Sequence, residues 1–202
     1  MFRTTLLSLA ASFLLTAAGN PNGYQVGDIV DTFTLKSTSG EMISLDDYTD
    51  EKGLILIFDC NTCPYSQAYR ERIKELHAMY ASRGFPVLAI NPNDPVKQPG
   101  DSFEAMAAYA KKHDYKHPYV QDIEQNVTRA FGATNTPHVF VLKNESGTFR
   151  VSYIGAIDNN TRSAADANKK YVQDAVNAIL KGENPPETKT KAIGCSIKWK
   201  SA

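Results

Sequence analysis

The sequence predicts an α/β fold, a mixed central sheet flanked by helices and preceded by a β-hairpin. Three observations lead there. "GLILIF" (53–58) and "PVLAIN" (86–91) are continuous apolar runs of strand length, as expected of strands buried on both faces. Between and after them, apolar residues recur at helical spacing. The chain then closes with "HVFVL" (138–142), "TFRVSYIG" (148–155) and an amphipathic helix, so a hairpin joins an alternating strand–helix order.

The elements follow in sequence. Val26–Leu35 and Glu41–Leu45 are short runs that "KSTSGE" joins as a hairpin. Gly53 and a pair of cysteines bound the first buried strand. After Pro64, apolar residues fall at Tyr69, Ile73, Leu76 and Tyr80, one face of a helix that Gly84 stops. "NPNDPVKQPGD" (91–101) is loop, rich in Pro, Asn and Asp. Asp101, with Glu104 three residues on, has the pattern of a capping box. Phe103, Met106, Ala107 and Ala110 then share a helix face. A short helix covers 125–131, closed by Gly132. The last helix carries Val172, Ala175, Val176, Ile179 and Leu180 on one side and ends at Gly182 and Pro185-Pro186. No internal repeat or second-domain boundary is visible.

A chain of 202 residues is long enough for one domain with a full core. Its 22 basic and 22 acidic residues balance, so no strong field draws it to nucleic acid or an anionic membrane. At the start, Arg3 precedes "LLSLAASFLLTAAG", an apolar run ending in small residues, the pattern of a secretory signal. The run is short for a membrane-spanning helix. The organisation expected is therefore a signal at 1–19, a domain at 20–186 and a basic, polar tail at 187–202. Secretion places the mature protein in an oxidising compartment, a periplasm or the cell exterior, with no stable membrane span.

The chemistry sits in "FDCNTCPYSQAY" (58–69). Of three cysteines, Cys60 follows a central strand, Cys63 falls in the first turn of the next helix, and Cys195 lies far away in the tail. An odd count excludes a disulfide scaffold. Residues three apart on a helix lie about 5–6 Å apart at Cβ, within reach of a disulfide after small adjustment. Pro64 suits a helix start. The unpaired N–H groups and positive dipole end of a helix favour thiolate, the reactive form of cysteine. The alternatives are an inert structural disulfide, or a copper or zinc site completed by a histidine such as His138, His77, His113 or His117. "CNTCP" lacks the following His of a haem attachment motif. Asp59 reads as a solvated strand-end carboxylate, with proton acceptance beside Cys60 as the alternative.

"CNTCP" at a strand–helix junction, followed by "TPHVFVL", resembles the thioredoxin superfamily. More narrowly, "GFPVLAINPND", "PYVQD", "FGATNTPHVFVL", "YIGAIDNN" and "GCSIKWK" make the chain similar to peroxiredoxin-like redoxins of the alkyl hydroperoxide reductase/thiol-specific antioxidant group. The resemblance implies a thioredoxin fold with an N-terminal extension and a cis bond before Pro137 beside the cysteine pair. It implies thiol–disulfide exchange in which Cys60 attacks a substrate disulfide and Cys63 resolves the mixed disulfide, with Thr136 and Pro137 lining the substrate groove. It also brings thiol peroxidase activity into view, with thioredoxin-like copper binding as a third reading. Against peroxidase chemistry, Cys60 stands where such enzymes carry Thr or Ser, and "TPH" offers no arginine. No cofactor is called for. The partners implied are protein or small-molecule thiols and disulfides, hydroperoxides, and a redox protein as electron donor or acceptor. Cys195 is either a resolving thiol on a tail arm or a buried unpaired cysteine.

Overall fold

A computed structural model describes residues 22–201. The expected signal at 1–19 lies outside the described residues.

Seven strands form one mixed sheet. In chain order they are β1 (Thr34–Ser37), β2 (Met42–Ser44), β3 (Gly53–Phe58), β4 (Val87–Asn91), β5 (Tyr119–Gln121), then, beyond a short β6 (Asn135–Thr136), β7 (His138–Glu145) and β8 (Thr148–Gly155). Their spatial order is β2-β1-β5-β4-β3-β7-β8. β3, β4 and β5 run parallel, and β7 and β1 flank that trio antiparallel. All six residues of β3 are buried, which is why its sequence shows no polar alternation. Leu54, Leu56 and Phe58 face one core layer, and Ile55 and Ile57 face the other.

Helices α1 (Pro64–Tyr80) and α4 (Tyr171–Leu180) cover one face; α3 (Asn126–Phe131) and the segment around Val30 and Leu45 cover the opposite one. Tyr69, Ile73, Leu76 and Tyr80 of α1 bury the stripe that their spacing announces. Burying each contributes about 2 kcal/mol by apolar area. Helix α2 (Phe103–Lys112) seals the β4–β5 side through Met106.

Several boundaries differ from expectation. The N-terminal hairpin is shorter, because 26–33 is mostly irregular and meets β8 through an Ile29–Arg150 bridge and the Gly27, Asp28 and Val30 backbone. Strand β5 is only three residues long, too short for a periodic signal. The cap of α2 is Ser102, whose hydroxyl accepts from the Ala105 N–H. Asp101 is not a cap; it is fully buried and held by other donors. Helix α1 starts at Pro64, so Cys63 is its N-cap residue and lies outside the first turn.

The tail is part of the packed structure. Ile197 is buried, and Arg129 stacks 4.6 Å over the Trp199 ring. The Lys198 carbonyl accepts from the Asp94 N–H at 2.8 Å, and its N–H donates to Asn93 Oδ1 at 2.9 Å. A final strand, β9 (Cys195–Ser196), pairs antiparallel with β6.

Candidate active site

Cys60 and Cys63 meet where β3 gives way to α1. Strand pairing still holds Asp59, whose N–H donates to the Ile90 carbonyl. Beyond it the chain turns, and Asp101 fixes that turn. Its carboxyl accepts from the Asn61 N–H (2.8 Å), the Thr62 hydroxyl (2.8 Å) and the Asn91 and Asn93 amides (3.2 and 2.8 Å). Tyr119 adds a hydroxyl bond to Asn61 Oδ1 at 3.0 Å. The two residues between the cysteines are therefore anchored to the loop after β4. Asp101 carried no sequence signal as a site residue, because its partners come from two segments distant in sequence, 61–62 and 91–93.

Across the turn stands the Thr136–Pro137 peptide, which is cis, as the resemblance implies. Thr136 touches both sulfurs. Its Oγ1 lies 3.1 Å from Cys60 Sγ, and its carbonyl accepts from the Cys63 thiol at 3.1 Å. Ser66 Oγ lies 3.9 Å from Cys60 Sγ. Cys60 and Cys63 lie close enough for each to perturb the other's ionisation. Both are reduced, and each is only 2% exposed.

The electrostatics distinguish the two thiols. Cys63 is lowered to about 4, first by the hydrogen bond from Cys60, then by donors on Cys195 and the Ser66 backbone N–H, which together outweigh burial. Cys60 is pushed up by serving as that donor, by burial and by the Asp101 and Asp59 carboxyls. The N-cap position puts Cys63 at the positive end of α1. Within this coupled pair the surroundings therefore favour ionisation at Cys63 over Cys60.

Asp59 is not a solvated carboxylate. It is 2% exposed, and its Oδ1 finds no hydrogen-bond partner. Burial pushes it up to about 7, against the opposing hydrogen bond from Ser66. The histidines do not assemble with the thiols. His138 Nδ1 accepts from the Thr134 N–H at 3.4 Å, and His77 and His117 pair with each other at 5.8 Å between ring centroids. Among the described residues, no group of three His, Cys, Asp or Glu side chains is arranged to hold a metal ion. Cys195 reaches the site: it is half-buried, pairs with Thr136 across β6 and β9, and lies close enough to help lower Cys63.

A paired thiol at a helix start, a cis-proline opposite it and this mixed sheet define a redoxin of the thioredoxin superfamily. The chain belongs to the AhpC/TSA family, which matches residues 26–160. No curated protein matches it. Among solved structures, it is similar to a hypothetical protein from Sinorhizobium meliloti 1021, with 32% identity and a TM-score of 0.82 over 90% of this chain and 98% of that one. An uncharacterized conserved protein from Geobacillus kaustophilus has 29% identity and the same TM-score, over 90% and 95% of the two chains. A peroxidoxin from Mycobacterium tuberculosis shares the fold at 17% identity and a TM-score of 0.55, over 70% and 91%. Among the described residues no helix is long and apolar enough to cross a membrane.

Proposed function

We propose that this redoxin is a thiol–disulfide oxidoreductase whose Cys60 and Cys63 cycle between dithiol and disulfide. One observation carries the reading: Thr136 contacts both sulfurs at the start of α1, through its Oγ1 to Cys60 and its carbonyl to Cys63. The Cys63 thiolate attacks one sulfur of a substrate disulfide. An S–S bond forms to Cys63, and the other substrate sulfur leaves as a thiolate and takes up a proton. Cys60 then gives up its proton and attacks Cys63 Sγ, which closes the Cys60–Cys63 disulfide and releases the second substrate thiol. Asp59, poised near neutrality and buried beside Cys60, can take that proton. Thr136 and Pro137 line the approach.

Hydroperoxide reduction is a second reading, supported by family membership and by the low thiol value of Cys63. There Cys63 attacks the O–O bond and becomes a sulfenic acid as water or an alcohol leaves. Cys60 condenses with it, releasing water and forming the same disulfide. Thr136-Pro137-His138 offers no arginine beside the pair, which weighs against efficient peroxide activation.

Reduction of insulin disulfides, set against consumption of hydrogen peroxide with dithiothreitol as the common reductant, separates the two. The exchange reading expects insulin reduction that Cys63→Ser abolishes. Peroxide turnover with inert insulin would overturn it. Cleavage after residue 19 and export to an oxidising compartment belong to the same proposal. Cell fractionation and N-terminal sequencing of the mature protein test them.

A further inference from the structure

The edge of β6 beside the cysteine pair, where a partner's cysteine-bearing strand would dock, is already occupied by the protein's own tail. Asn135 and Thr136 pair with Ser196 and Cys195. The Asn135 amide donates to the Gly194 carbonyl at 3.0 Å, and the Ile197 N–H donates to the Thr134 carbonyl at 3.3 Å. Gly194 passes so close that a Cβ there would overlap the Thr136 carbonyl oxygen, so only glycine permits this register. The strand delivers Cys195 to Cys63 and not to Cys60, whose sulfur is taken by Thr136 and Ser66. The result is a graded row of three sulfurs, with Cys60 innermost, Cys63 central and Cys195 nearest the surface. With β9 in place the inner two are only 2% exposed, so a protein partner reaches them only when β9 lifts.

We propose that the tail is an internal substrate, and that Cys195 is the third redox thiol of the site, pairing with Cys63 to carry the disulfide toward the surface. The inference rests on the exchange reading above. Once a substrate disulfide has oxidised the pair, the Cys195 thiolate attacks Cys63 Sγ. The Cys63–Cys195 bond forms, the Cys60–Cys63 bond breaks, and the electron pair passes to Cys60, which takes up the proton Cys195 gave up. One disulfide replaces another with no net oxidation, and the new one lies where a partner dithiol can reduce it. Docking of that partner along the edge of β6 requires β9 to lift, so the tail also selects partners able to displace a two-residue strand. Cys60 is well suited to receive the proton, since burial and the neighbouring Asp59 and Asp101 hold its thiol in the neutral form.

The test uses the Cys60→Ser full-length protein, treated with oxidised glutathione under native conditions, quenched in acid, alkylated and mapped by mass spectrometry. The expected product is a Cys63–Cys195 disulfide, with glutathione released and no glutathione left on Cys63. Cys60→Ala, which puts no hydroxyl into the buried site, should give the same linkage. Glutathione retained on Cys63 with Cys195 free to alkylate would overturn the role of the tail while leaving the exchange reading intact. A Cys63 that never reacts with oxidised glutathione would overturn both.

Discussion

Replacing Asp59 with Asn tests the electrostatic base of the site. The carboxyl is fully buried, with Oδ1 unpartnered, and its value rises from 3.8 to about 7. Three units correspond to a difference on the order of 4 kcal/mol between the protonation states. Because the folded value lies above the unfolded one, the stabilisation is fully present below 3.8 and is lost as pH rises through about 7. Asparagine keeps the shape and never ionises. Its amide adds donors where the structure offers no acceptor, a cost of about 1–3 kcal/mol that does not depend on pH. The variant should therefore be slightly less stable than wild type at pH 4 and more stable by about 1–3 kcal/mol at pH 8. Cys63 titrates in both proteins, so its contribution largely cancels in the comparison. Urea denaturation under reducing conditions across pH 4–8 measures the difference. Parallel stability curves for the two proteins would refute the assignment of a raised Asp59.

Further expectations concern the turn, the thiolate and the tail. Asp101→Ala strands four donors in a buried site and should cost at least about 3 kcal/mol in denaturant unfolding, while Asp101→Asn, which keeps one acceptor oxygen, should cost less. In wild type the ultraviolet absorbance of the Cys63 thiolate should appear as pH rises through about 4, and Cys60→Ala should move that midpoint upward by removing the principal donor. Absorbance that appears only near the ordinary cysteine value of about 8.5 would contradict the preference for ionisation at Cys63. Gly194→Ala pushes β9 from the Thr136 carbonyl and should raise native-state alkylation of Cys60 and Cys63 by roughly tenfold or more, because local opening then controls access. An unchanged alkylation rate would mean that β9 does not guard the pair.

Much of this protein is local in origin. The buried strands 53–58 and 87–91, the stripe of Tyr69, Ile73, Leu76 and Tyr80, and the stop at Gly132, which adopts φ 65°, follow from residue periodicity and backbone freedom alone. So does the cysteine pair at a strand–helix junction, since neighbours in sequence remain neighbours in space. The sequence misleads where the cause lies elsewhere in the chain. Asp101 resembles a helix cap, yet partners from Asn61 to Asn93 bury it under the turn. Asp59 resembles a surface carboxylate until β4 and α1 close over it.

Which sulfur ionises and what covers it were decided only by the tertiary structure. Spacing makes Cys60 and Cys63 near equals. Their difference comes first from the coupling between them and from burial, then from Asp101 and Asp59 on one side and Cys195 and the Ser66 N–H on the other. Cys195 itself lies 132 positions beyond Cys63, and nothing local could announce that its two-residue strand would come to rest beside Thr136. A thiolate is stabilised by whatever donors surround it in space, and those donors are gathered by the fold.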